Sequence, residues 1–274
     1  MLIKSLVGLG GMKFGGEMTV IEHLEEFRVR LIRSVIVVLA LTIGAFMAKD
    51  FIFTTLILGP SKVDFWTYKL MCSMGESLCV DKLNFVLQNR TMGGQFYVHM
   101  TTSFIIGIIL SIPYVSWEIW QYIKPALGNN FKSMTYQIIF FVSGLLILGL
   151  LFGYYILAPL SINFLANYSI DDSVLNQFDI NSYIDTITML VLGCGIIFQL
   201  PILVYLLSKT GFLSLALMKK YRKHSIIGIL FIAAIITPPD VVSQIIVTLP
   251  LYLLFEISIL ISASVYRSRE KLNT

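Results

Sequence analysis

SMTYQIIFFVSGLLILGLLFGYYILAPLSINFLANYSI, residues 133–170, contains no Asp, Glu, Lys or Arg. A bilayer core about 30 Å thick is crossed by about 20 apolar residues in a helix, so this stretch is about twice what one crossing needs. Asn163, Asn167 and Ser169 gather near its end, and the whole reads as one long helix running into a polar loop. Outward from it, further charge-free windows follow at 34–48, 100–117, 186–208, 225–239 and 241–255, the last two separated only by Asp240. In hydrocarbon every backbone N–H and C=O must be satisfied within the segment, so these windows read as helices. The short alternating segments of an outer-membrane barrel are not the pattern here.

Composition agrees. The chain of 274 residues is 57% hydrophobic and 13% charged, with a mean hydropathy of +0.82. A soluble domain carries about 25% charged residues, and half that would leave its surface uncovered. The expected fold class is an all-α membrane protein, a bundle of six transmembrane helices of which the last two are short. Two short helices back to back imply a thinned membrane or shelter by the bundle. The net charge of +4 comes with no long basic run, so nucleic acid is not an expected partner.

Six crossings put both ends on one side, and the basic residues name it. Lys4, Lys13, Arg28, Arg30 and Arg33 precede the first span. Lys124 and Lys132 follow the second, while Lys209, Lys219, Lys220, Arg222 and Lys223 follow the fourth. Arg267, Arg269 and Lys271 close the tail. On the opposite side Lys and Arg occur only in the long first loop, about 49–99. Both termini are expected to be cytoplasmic. Residues 1–17 read as a flexible leader, 18–266 as the six-span domain and 267–274 as a cytoplasmic tail.

Enzyme chemistry finds little support. His23, His99 and His224 lie in different interfacial regions without metal-ligand spacing. No phosphate-binding loop, nucleophile elbow or redox Cys pair is visible. No catalytic residue, metal or cofactor is expected. Cys72 and Cys79 share the long outer loop, where the spacing admits either a small disulfide-closed loop or two free thiols beneath a folded loop.

Four segments carry the functional argument. The first is Thr19-Val-Ile-Glu22-His23-Leu24-Glu25-Glu26-Phe27-Arg28-Val29-Arg30-Leu31. Thr19 and Glu22 have capping-box spacing, so a helix starts there. Leu24, Phe27 and Leu31 give it an apolar face able to lie on a membrane surface. Glu26 and Arg30, four apart, suit a surface ion pair. Alternatively Glu26 is a carboxylate held at the cytoplasmic mouth to receive a basic peptide, since a carboxylate takes two parallel hydrogen bonds from a guanidinium. The second segment, Trp117-Glu118-Ile119-Trp120-Gln121-Tyr122-Ile123-Lys124-Pro125-Ala126-Leu127, reads as the turn after span two. It is either an interfacial aromatic belt or a ledge for peptide docking. In the third, Gln199 sits in an apolar run before Pro201, as packing glue between helices or as a contact for another subunit; Pro201 can kink the helix. In the fourth, Pro238 and Pro239 end span five, and Asp240 or Ser243 can cap span six. Glu256 lies within span six, where ionisable groups are costly.

In this order and at these span positions, the segments resemble the TatC family, the multispan receptor subunit of the twin-arginine protein translocase. The family pattern before span one is close to His-Leu-x-Glu-Leu-Arg-x-Arg-Leu, and residues 23–31 match it. Lys124-Pro125-Ala126-Leu127, Phe198-Gln199-Leu200-Pro201, Thr237-Pro238-Pro239-Asp240 and Leu249-Pro250-Leu251-Tyr252-Leu253-Leu254-Phe255-Glu256 complete the series. The resemblance implies a receptor for twin-arginine signal peptides in the bacterial cytoplasmic (inner) membrane. It would assemble with TatA-like and TatB-like single-span proteins, as a homo-oligomer within the complex, and export folded cargo on the proton gradient. It implies signal-peptide binding by Glu26, Arg28, Glu118 and Tyr122, and a partner-subunit contact at Gln199 and Pro201. Pro238, Pro239 and Asp240 would form a periplasmic turn. Two departures stand out. Phe131 occupies about the place of a second arginine-gripping acid, which leaves Glu118 to supply it, and 62–92 is an insertion. The reading from another class is a small-solute secondary transporter, which would need a midplane polar site on broken helices, often with related halves.

Overall fold

The computed structural model describes residues 20–75, 79–80, 82–127, 135–171, 176–210, 213–237 and 241–273. In chain order its elements are α1 (Val20–Met47), α2 (Lys49–Phe51), a π-helical turn at Ile52–Ile57, α3 (Trp66–Met74), β1 (Val86–Gln88) and α4 (Gly94–Leu127). Then come α5 (Thr135–Phe152), a second π-helical turn at Gly153–Leu157, α6 (Ala158–Asn167), β2 (Gln177–Asp179), α7 (Ile180–Ile197) and α8 (Leu200–Thr210). The series ends with α9 (Leu215–Lys220), α10 (Arg222–Ile236) and α11 (Val241–Asn273). Five stretches are long and apolar enough to cross a membrane: His23–Met47, Gly94–Tyr122, Ile139–Asn167, Ile180–Lys209 and Ser243–Ala263.

Three expectations change. The amphipathic segment around Glu26 is not a separate surface helix; it is the first turns of α1, which runs unbroken from Val20 to Met47. Nothing between Arg33 and Ser34 breaks it, since no Pro or Gly intervenes before Gly44. The aromatic segment 117–127 is not a turn but the last turns of α4. The final span is not short. The charge-free window closes at Phe255, but the helix continues through Glu256, whose carboxylate accepts hydrogen bonds from Arg222 and Tyr252. The helix before it is short as expected: α10 has 15 residues, about 22 Å at 1.5 Å per residue.

The chain forms two compact units, Met1–Met47 with Ser103–Ile139, and Ala48–Thr102 with Phe140–Thr274. In the first, α1 and the later part of α4 run antiparallel, with His23 against Tyr122 at one end and Thr42 against Gly107 at the other. A Cβ on Gly107 would stand 2.8 Å from the Thr42 Cα, so only glycine permits that crossing. Without a hydrophobic driving force between helices in lipid, such close backbone approach is what holds them.

The second unit uses the same device. Gly149 and Gly153, spaced as GxxxG, face α7: a Cβ on Gly149 would meet the Cys194 carbonyl oxygen at 2.7 Å, and one on Gly153 the Val191 Cα at 2.8 Å. Ile184, Ile187, Leu190 and Cys194 recur at helical spacing along α7 and are buried against Leu157, Ala158, Ala233 and Leu251. Ser208 donates to Ser262 or accepts from it at 2.9 Å, a buried hydroxyl pair tying α8 to α11. Outside the spans, β1 and β2 pair in parallel, Leu87 opposite Phe178. Asp179 caps α7 by accepting from the Asn181 amide at 2.8 Å. The Asn181 side-chain amide first, then that capping and the Arg90 amide, hold its carboxyl below the usual carboxylate range. Tyr68 is fully buried and donates its hydroxyl between the carbonyls of Pro60 (3.0 Å) and Pro159 (2.9 Å). Burial first, and the Tyr183 hydroxyl second, push its pKa well above the usual tyrosine range.

Candidate functional site

On α1, Glu26 and Arg30 are one turn apart; on α4, Tyr114, Glu118 and Tyr122 follow one another at the same spacing. A spacing of four puts side chains on one helical face, and the antiparallel packing turns these two faces toward each other. Arg30 donates from Nε (3.0 Å) and Nη2 (2.5 Å) to Glu26 Oε1, and from Nη1 to Glu118 Oε2 at 2.9 Å. Tyr114 donates its hydroxyl to Glu118 Oε1 at 2.9 Å. One guanidinium thus bridges two carboxylates, the nearer one turn away and the farther, Glu118, 88 residues along the chain from Arg30.

Glu118 has both oxygens engaged. Glu26 does not: its Oε2 is buried and has no hydrogen-bond partner among the described residues. A buried carboxylate oxygen left unmade costs more than the ~1–3 kcal/mol of a neutral group. Such an orphan is a strain reservoir or a seat for a donor from elsewhere. Arg33 lies close enough to act electrostatically on Tyr114, so the neighbourhood is rich in both signs.

Tyr122 caps the cluster. Its ring stacks on His23 at 4.4 Å between centroids, planes 14° apart, with Phe27 tilted against it at 5.3 Å. Of the four residues expected to bind signal peptide, the structure brings Glu26, Glu118 and Tyr122 together. Arg28 is exposed and falls on another face of α1. Arg30 entered the sequence reading as a basic residue before the first span, a position of the family pattern and a surface partner of Glu26, His23 as an interfacial residue and a position of that pattern, and Tyr114 not at all. The repeat Tyr114–Glu118–Tyr122 was the available signal.

The other expected sites lie elsewhere. The helix breaks at Phe198 and Gln199, and Pro201 opens α8 from a buried position. Gln199 donates through Nε2 to the Val142 carbonyl at 3.2 Å, so its amide joins α8 to α5. Cys72 and Cys79 are joined by a disulfide with Cα atoms 4.2 Å apart. Pro238, Pro239 and Asp240, like Phe131 and the leader 1–17, lie outside the described residues. Among the described residues no group of three or more His, Cys, Asp or Glu could hold a metal.

Helices long and apolar enough to cross a membrane, with glycines at close helix approaches in each unit, define a multispan membrane protein, and a buried acid–guanidinium–acid cluster joins two helices of its first unit. The family model for the Sec-independent protein translocase protein TatC matches residues 22–250. A Blattabacterium protein called Sec-independent protein translocase protein TatC is 41% identical over 262 residues, 93% of this chain and 98% of that protein. Its Helicobacter pylori counterpart is 36% identical over 89% of this chain and 87% of its own length. A crystal structure described as the twin arginine translocase receptor TatC superposes with a TM-score of 0.66 at 28% identity, covering 89% of this chain and all of that one. A second, in the detergent DDM, gives 0.68 at 29% identity over 87% of this chain and 98% of that one. The chain belongs to the TatC family of Sec-independent protein translocase components. That membership sets aside the small-solute transporter.

Proposed function

We propose that this chain is the signal-peptide receptor of a twin-arginine translocase, and that Glu26 receives an arginine of the signal peptide. The observation that carries the reading is the buried, unpartnered Glu26 Oε2 beside an arginine the chain already supplies. The site is built to hold a guanidinium between carboxylates, and one acceptor is left over. An arriving arginine binds Oε2, and gains a second parallel bond when Arg30 yields Oε1 and keeps Glu118. Guanidinium geometry favours arginine over lysine for such a pair. Tyr122 and Phe27 offer ring faces to the peptide beside the pair. Arg28, exposed on α1, meets the peptide outside the acid cluster. The crystallised relatives, described as twin arginine translocase receptors, support the role by similarity.

In this reading the chain crosses a bacterial cytoplasmic membrane six times, with α10 as the short fifth crossing and both termini cytoplasmic. The basic residues flanking the spans support that direction. TatA-like and TatB-like single-span helices dock near Gln199 and Pro201, at the break between α7 and α8. Several copies assemble, and the proton gradient drives folded cargo across.

The test is photo-crosslinking from position 122 of the full chain in membranes to a signal peptide carrying two arginines, with a twin-lysine control. Adducts with the arginine peptide alone support the proposal. Equal adducts with both peptides, or none with either, would sink it.

A further inference from the structure

The insertion in the first loop places a helix whose exposed face neither the fold nor the acid cluster uses. Along α3, Trp66, Leu70 and Met74 recur every four residues and so form one stripe; Trp66 is 59% exposed and Met74 74%. Val63, just before the helix, is exposed beside it. The opposite face is bolted down. Thr67 and Tyr68 are buried, Thr67 donates to the Tyr155 carbonyl, and Tyr68 bridges the carbonyls of Pro60 and Pro159. The disulfide Cys72–Cys79 pins the far end. A stripe held this firmly on the outside of a loop has a fixed direction.

That direction is given by what it touches. Phe65 stacks on the Tyr155 ring at 5.7 Å, and Trp66 meets the same ring edge-on at 5.9 Å. Tyr155 belongs to the span Ile139–Asn167 and is itself exposed, on a helix whose Ile147, Leu148 and Leu151 are also exposed and apolar. It lies about 24 Å along that helix from Ile139, near the far edge of a hydrocarbon core about 30 Å thick. Trp66 therefore continues a lipid-facing surface at the depth where Trp and Tyr rings concentrate. Lys69 pairs with Asp64 at 3.5 Å, and both remain exposed, as the polar flank of an interfacial helix would be.

We infer that α3 is an interfacial anchor whose Trp66–Leu70–Met74 stripe docks into the lipid bilayer at the headgroup–acyl boundary, on the side of the membrane where the first loop lies. The occupant of this face is phospholipid. The insertion thereby fixes the loop to the membrane surface, whichever side that surface is on, and stands independently of the signal-peptide reading.

Fluorescence quenching tests it on the full chain in nanodiscs. The chain has three tryptophans. Subtracting the emission of a Trp66→Phe variant isolates Trp66 without touching the α4 indoles. Lipids brominated high on the acyl chain should quench this difference signal at least twofold, and acrylamide from the water phase should quench it much less. Two results would overturn the inference. One is strong acrylamide quenching with no effect of brominated lipid, which puts Trp66 in water. The other is shielding from both, which puts it beneath protein. In a second variant, Leu70→Ser with Met74→Ser and Trp66 kept, bromolipid quenching should fall by about half; no change would equally count against the stripe.

Discussion

Two parts of the molecule repeat one motif with different outcomes. In each, a tyrosine donates to a glutamate one turn later on the same helix, and an arginine from another position completes it: Tyr114, Glu118 and Arg30 in one unit, Tyr252, Glu256 and Arg222 in the other. In the second, Glu256 spends one oxygen on Tyr252 (3.0 Å) and the other on Arg222 (2.9 Å), and its charge is matched. In the first, a second carboxylate joins and one of its oxygens is left over. Burial differs as well. The Glu118 and Glu26 side chains are 7% and 10% exposed, against 28% for Glu256 and 46% for Arg222. A closed, wetter pair is structural; an open, buried one has capacity for a ligand.

The sharpest way to break this contrast is Arg30→Gln. It leaves two buried carboxylates facing each other without their cation, and stability should fall by about 3–5 kcal/mol, read as a lower unfolding midpoint in detergent. A loss no larger than that of a surface pair would erase the distinction between the clusters. Next is Glu26→Gln, which removes the leftover acceptor's charge while Arg30 keeps Glu118. Twin-arginine peptide affinity should drop by about 10–100-fold, the worth of one charge-assisted bond of ~1.5–3 kcal/mol, with a smaller change in midpoint. Glu118→Gln should weaken the same binding less, by about 3–10-fold, because its oxygens already serve Arg30 and Tyr114 and its loss acts through Arg30. Arg222→Gln should shift stability by only about 0–1 kcal/mol, as for an exposed pair.

A third acid supplies a control in which amide N–H groups, rather than an arginine side chain bonded to its oxygens, hold the carboxylate, with the Arg90 charge adding a smaller effect. Asp179 is held ionised by N–H donors of Asn181 and Arg90. Its carboxyl sits below the ordinary value of 3.8, so the cap is at full strength above that pH and fades as pH falls through the lowered value. Amide exchange at Asn181 and Arg90 should stay protected on acidification to about pH 4 and open only below it. Opening well above that range would mean that the hydrogen bonds do not hold the charge.

The spans were legible in the sequence because lipid leaves few choices. Charge-free windows of helical length around Ser34, Met100, Ser133 and Thr186 all fall on helices long and apolar enough to cross a membrane. Helix ends were less legible, because an end is decided by partners. The charge-free window closes at Phe255, yet Arg222 and Tyr252 make Glu256 tolerable mid-helix. The aromatic run at Trp117 looked like a turn, yet Tyr114, Glu118 and Tyr122 had to share a face, which only a helix provides. The acids of the site could be named from the family pattern, but Arg30 reaching Glu118 could not, because nothing local relates residues so far apart. The Cys72–Cys79 spacing left two outcomes, and only the fold of the loop around Tyr68 brings the thiols together.

The unbroken course of α1 has a mechanical corollary. A hinge between the charged turns and the apolar turns would let Glu26 swing to meet a visitor while the rest of the helix stayed still. There is none, and 28 residues in one rod reach about 42 Å. Whatever tilts or draws on the glutamate end must therefore displace Met47 too, so an event at one face of the membrane is delivered bodily to the other.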